Sequence, residues 1–160
     1  MTILHVGDKA PLFGLPNQDS TTIHLADLLG RFVVIYFYPK AMTPGCTTQA
    51  CGIRDNWSKL QGINTTVLGI SPDAPKLLKK FKDVENLPFD LLSDSNHSVA
   101  EAYGTWQEKS MYGRTYMGMA RDTLVLDPNG TIIGVLQKVK PATHMDDVLD
   151  IIHSHLGSRT

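Results

Sequence analysis

The residues Phe32-Val33-Val34-Ile35-Tyr36-Phe37 form an unbroken apolar run that is β-branched and aromatic, short, and followed at once by Tyr38-Pro39. Such a run reads as a buried strand. A helix start comes directly after it. Thr43 is a hydroxyl N-cap, and Pro44 lacks an N–H at the first helical position, where that donor would be unpaired anyway. Cys46 then falls at the third helical residue, where unpaired backbone N–H groups and the positive end of the helix dipole favour an anion. The spacing therefore predicts a reactive cysteine. The thiolate is the nucleophile: a thiol with a pKa of about 8.5 is roughly 3% ionised at neutral pH, and one lowered to about 6 is roughly 90% ionised.

A second cysteine, Cys51, lies five residues on. On an intact helix that spacing gives about 7.5 Å of rise and about 140° of rotation, hence roughly 8.7 Å between Cα atoms. A disulfide tolerates at most about 7 Å. Bonding between the two would require the first turns to unwind, and Gly45 and Gly52 bracket that segment; each glycine weakens a helix by about 1 kcal/mol. On physics alone, simple packing is the stronger account of Cys51. A counter-charge for Cys46 is best supplied by arginine, which cannot deprotonate and offers a planar fork of donors. The candidates are Arg121, entering a strand from a loop, Arg114, and Arg54, whose face of the same helix lies about 80° from Cys46.

The remaining pattern places these residues in an α/β chain. An N-terminal β-hairpin from Ala10 to His24 leads to a helical turn at Leu25 to Leu29. The cysteine helix runs to about Leu60, a strand covers Thr66 to Ser71, and a helix over Ala74 to Val84 buries Leu77, Leu78, Phe81 and Val84. A short strand at Phe89 to Ser93 and a short helix at Ser98 to Tyr103 precede a long loop or irregular hairpin, Trp106 to Met119. Strands Arg121 to Leu126 and Thr131 to Leu136 flank the turn Asp127-Pro128-Asn129-Gly130, and an amphipathic helix from Thr143 to Leu156 closes the chain. The order predicts a mixed sheet flanked by helices, with an antiparallel hairpin at its end.

With 160 residues, residues 1–160 are expected to form one domain. The net charge of -1 gives no reason to expect a nucleic-acid or acidic-membrane partner, and no apolar run is long enough to cross a bilayer. Met1-Thr2-Ile3-Leu4-His5 does not read as a signal peptide. Two cysteines in such a chain point to a reducing, cytoplasmic compartment.

The stretch Phe37-Tyr38-Pro39-Lys40-Ala41-Met42-Thr43-Pro44-Gly45-Cys46-Thr47-Thr48-Gln49-Ala50-Cys51 resembles the peroxiredoxins, and closely the subfamily named for bacterioferritin comigratory protein, also called peroxiredoxin Q. Its Pro-x-x-x-Thr/Ser-x-x-Cys pattern is met by Pro39, Thr43 and Cys46. Similarity continues through Leu68 to Ser71, Leu91 to Asp94, Glu108 to Gly113, and Arg121 ahead of Thr123 to Asp127. The resemblance implies a thioredoxin-like fold and a peroxidase of hydrogen peroxide and alkyl hydroperoxides, active in antioxidant defence. Cys46 would be the peroxidatic cysteine, passing through a sulfenic acid. Thr43 would hydrogen-bond the peroxide, Pro39 would shield the site, and Arg121 would stabilise the thiolate and the transition state. Cys51 would be the resolving cysteine, closing an intramolecular Cys46–Cys51 disulfide that thioredoxin reduces. A monomer is implied, with no metal, haem or flavin cofactor. Gln49 departs from the glutamate many relatives carry, and Leu156-Gly157-Ser158-Arg159-Thr160 lacks the Tyr-Phe tail of oxidation-sensitive dimeric peroxiredoxins.

Two other readings compete. A thiol–disulfide oxidoreductase is disfavoured by the absence of Cys-x-x-Cys. A metal-binding or redox-sensing module is disfavoured because His5, His24, His97, His144, His153 and His155 are scattered without zinc-ligand spacing beside the cysteines.

Overall fold

The structure, a computed structural model, describes residues 4–157. The expectations placed on Met1 to Ile3 and on the tail Ser158-Arg159-Thr160 lie outside those residues.

The apolar run is strand β3 (Phe32–Phe37), and every residue of it is buried. It needs cover on both faces because it sits in the middle of a five-stranded sheet. On one side it pairs in parallel with β4 (Thr65–Ser71), which pairs in parallel with β5 (Asp90–Ser93). On the other side it pairs antiparallel with β8 (Thr123–Leu126), itself antiparallel to β9 (Ile132–Leu136). The two-residue period of the strand divides the interior. Phe32, Val34 and Tyr36 face one core, built with α1 (Pro44–Asp55), α2 (Trp57–Gly62), α3 (Pro75–Glu85) and α5 (His144–Gly157). Val33, Ile35 and Phe37 face the other, beneath α4 (Ser98–Ala102) and Leu15 and Leu25 of the N-terminal segment. Burying each such side chain contributes about 1.5–3 kcal/mol. Tyr36 fits only because its partner across β4 is Gly69: a Cβ there would lie 2.8 Å from the phenol oxygen.

The mixed α/β sheet and the N-terminal hairpin, β1 (Gly14–Pro16) with β2 (Thr22–His24), are as the sequence predicts. Three details differ. The cysteine helix does not run on to Leu60 but breaks at Asn56, because the Asn56 amide donates to the Gly52 carbonyl (2.8 Å) and competes with the helical ladder. Val84 lies 55% exposed, so the buried stripe of α3 is Leu78 and Phe81 with Leu77 at its edge. The segment from Trp106 to Met119 is a regular hairpin, β6 (Trp106–Met111) paired residue for residue with β7 (Arg114–Met119). Its turn, Tyr112-Gly113, has φ of 52° and 76°, the primed geometry that matches strand twist. Among the described residues, no helix is long and apolar enough to cross a membrane.

Candidate active site

Strand β3 delivers the chain to the start of α1 through Tyr38, Pro39 and the buried Ala41. Asp73, after β4, holds this bend. Its carboxylate accepts from the Ala41 N–H (2.7 Å) and the Ser71 hydroxyl (2.9 Å), while its carbonyl accepts from Ser93 (2.7 Å). Thr43 has the extended N-cap backbone (φ -81°, ψ 155°) and Pro44 opens the helix, as expected. The Thr43 hydroxyl, however, does not cap. It donates to the Lys40 carbonyl (2.8 Å), which leaves the first-turn N–H groups to be met by something other than this side chain. Its proton is thereby committed, and the hydroxyl oxygen keeps its capacity to accept.

Cys46 is 1% exposed and packs with Tyr36, Tyr38, Ala41 and Ala50. Of the three arginines considered, only Arg121 reaches its turn of helix. Arg121 stands just before β8, and its backbone carbonyl accepts from Val139 N–H (2.8 Å). Its Nη1 donates to Gln49 Oε1 (2.7 Å) and its Nη2 lies against Gly45, where a Cβ would come within 3.2 Å. The absence of a side chain at residue 45 is what admits the guanidinium. Arg54 instead pairs with Asp55 (3.0 Å) and donates to the Glu85 carbonyl (2.7 Å), and Arg114 lies exposed on the hairpin.

Behind Arg121 is a buried polar chain that the sequence did not announce. Gln49 Nε2 meets His144 Nδ1 at 3.4 Å, and His144 Nε2 meets Thr123 Oγ1 at 2.8 Å. Burial first, and the Arg121 charge second, pull His144 down to about 4, so it is neutral at physiological pH. The Tyr36 ring lies 5.7 Å from the imidazole. Lys109, on β6, donates to the Met119 carbonyl; burial and then Arg121 lower its pKa. Gln49 was visible only as a departure from a pattern. His144, 95 residues away, gave no local signal.

Cys51 is half-buried on α1 and its thiol donates to Glu85 Oε2 on α3 (3.3 Å). Burial, then this hydrogen bond, push its pKa up, so the thiol is held protonated. Both cysteines are free thiols on the intact helix. Trp106 packs against the other core and stacks on His97 with centroids 4.0 Å apart and planes 3° from parallel. Met42, Met111 and Met117 are exposed and Met119 is buried. Among the described residues no group of three or more His, Cys, Asp or Glu side chains is placed to hold a metal ion.

The AhpC/TSA family profile matches residues 6–135. Peroxiredoxin Bcp of Escherichia coli is 48% identical over 155 residues, covering 97% of this chain and 99% of the relative. Among solved structures, Xanthomonas campestris bacterioferritin comigratory protein, studied for alkyl peroxide reduction, superposes with a TM-score of 0.85 at 33% identity, covering 89% of this chain and 91% of the other. A cysteine-to-serine variant of Xylella fastidiosa PrxQ gives 0.90 at 30% identity, covering 96% and 98%. The two solved structures share the thioredoxin-like fold of this chain.

Proposed function

The chain belongs to the AhpC/TSA family, as a thiol peroxidase of the Bcp/PrxQ type, and on that premise we propose a cycle run by Cys46, Cys51, Thr43, Arg121 and Pro39. The observation that carries it is the Arg121 guanidinium seated against Gly45, in the same first turn of α1 as Cys46. The Cys46 thiolate attacks one peroxide oxygen in line with the O–O bond. That bond breaks, the sulfur gains the oxygen and becomes a sulfenic acid, and the leaving oxygen departs as alkoxide or hydroxide and takes up a proton. Arg121 and the first-turn N–H groups stabilise the developing charge. Thr43, its proton committed to Lys40, accepts a hydrogen bond from the peroxide O–H. Pro39, half-buried at the bend, keeps water from the sulfur.

The Cys51 thiol then condenses with the sulfenic acid. An S–S bond forms, the S–O bond breaks and water leaves. Both cysteines lie on continuous α1, so this step unwinds its first turns. A dithiol protein, thioredoxin in our reading, restores both thiols by exchange. We further propose that residues 1–160 act as one domain and a monomer, in the cytoplasm, on hydrogen peroxide and alkyl hydroperoxides, without metal, haem or flavin.

Mass measurement after one equivalent of peroxide tests the cycle. The wild type is expected to lose two hydrogens, and Cys51→Ser to gain one oxygen and stall after a single oxidation. Sustained turnover by Cys46→Ser would end this reading.

A further inference from the structure

We propose that Thr123 and His144 are positioning residues of the peroxide-reducing step, holding Gln49 so that its amide oxygen, not its nitrogen, faces Arg121. The proposal takes Cys46 as the attacking thiol.

Donor and acceptor parity fixes the chain. A guanidinium carries only donors, so the Gln49 atom 2.7 Å from Arg121 Nη1 must be the amide oxygen. The amide nitrogen then points at His144 Nδ1, which must accept. A neutral imidazole with an accepting Nδ1 carries its proton on Nε2, and that N–H donates to Thr123 Oγ1 at 2.8 Å. Reversing any member puts donor against donor somewhere in the chain. The setting leaves no water to repair such a mismatch: Gln49 and His144 are 1% exposed and Thr123 is 0% exposed. An unmatched polar contact in that environment is costly.

The tertiary arrangement converges on this chain from three elements. Gln49 projects from α1 three residues after Cys46, His144 opens α5, and Thr123 opens β8 directly across from Tyr36. The Tyr36 ring packs against the imidazole and limits its rotation. Gln49 is therefore held at both ends, and Arg121 has one fixed acceptor that carries no charge. Among the described residues no carboxylate pairs with the guanidinium, which keeps its orientation over the helix start.

The directional amide supplies the test. In His144→Phe the amide loses its orienting partner, and the rate constant with hydrogen peroxide is expected to fall about tenfold while the fold is retained. Gln49→Glu in the same background should restore the rate to within about threefold of Gln49→Glu alone, because a carboxylate presents an oxygen to Arg121 in either orientation. A residue that merely packs would not be rescued this way. Thr123→Val removes only the acceptor and gives a second reading if His144→Phe does not fold; a fewfold loss of rate is expected. In the wild type, nitrogen-15 spectra should place the His144 proton on Nε2. An unchanged rate in both His144→Phe and Thr123→Val, a failure of Gln49→Glu to rescue, or a proton on Nδ1 would each overturn the proposal. Cys46→Ser run alongside separates this outcome from failure of the cycle itself, since only the latter would leave that variant turning over peroxide.

Discussion

Gly45 shows how little is needed at one residue to set up the site. A methyl group there would stand 3.2 Å from Arg121 Nη2 and 3.8 Å from the Pro141 ring, and of the two the arginine side chain is the freer to move. Gly45→Ala is expected to push the guanidinium back by a few tenths of an ångström and lower the peroxide rate by about a fewfold, well short of the roughly hundredfold loss that a misplacement of about 1 Å brings. Stopped-flow kinetics on the folded variant would check it. His144 makes a second residue-scale prediction, in pH. Its pKa is about 4 when folded and 6.5 ordinarily. Between those values the unfolded chain binds more protons than the folded one, so stability rises with pH. This contribution is intact above about pH 6.5 and lost as the pH falls towards 4. The gap corresponds to about 3 kcal/mol. Urea melts at pH 7 and pH 4.5 should show most of that difference in the wild type and much less of it in His144→Phe.

At the scale of elements, α1 has conflicting tasks. In the proposed cycle it must be folded to present Cys46 beside Arg121, and open for Cys51 to reach it. Gly52, next to Cys51 in α1, has nothing within 4 Å of a would-be Cβ, so alanine fits there without collision. Gly52→Ala should stabilise the helix by about 1 kcal/mol. If unwinding limits disulfide formation, that step slows about fivefold, and more of the sulfenic acid goes on to further oxidation. Quenched samples weighed by mass spectrometry would read both. The hydrogen bond from Cys51 to Glu85 works in the same direction, since it ties α1 to α3 and favours the protonated thiol.

Across the whole molecule, the central sheet separates two cores, and α5 closes the one that contains the cysteine. Ile152 is fully buried there with Val148 and Leu149. Ile152→Ala should cost about 2–5 kcal/mol in denaturant melts, with the peroxide rate per folded molecule little changed, because the residue lies more than two turns along α5 from His144. The strands and helices were legible in the sequence wherever local physics decides them. A six-residue apolar run that is β-branched and aromatic and followed by Tyr38-Pro39 reads as a covered strand, and Thr43-Pro44 with Cys46 two residues on marks a helix start with a cysteine in its first turn. The break at Asn56 and the regular pairing of Trp106 to Met119 were not legible, because a side-chain hydrogen bond and a cross-strand register settle them. The sequence alone determined the α/β class and the place of Cys46 in the first turn of a helix, since those follow from neighbours within a few residues. Only the tertiary structure decided which arginine reaches the first turn of α1 and that Gln49, His144 and Thr123 stand behind it. Those contacts join positions 21 to 95 residues apart, and only packing in a shared, water-free interior brings such distant groups together.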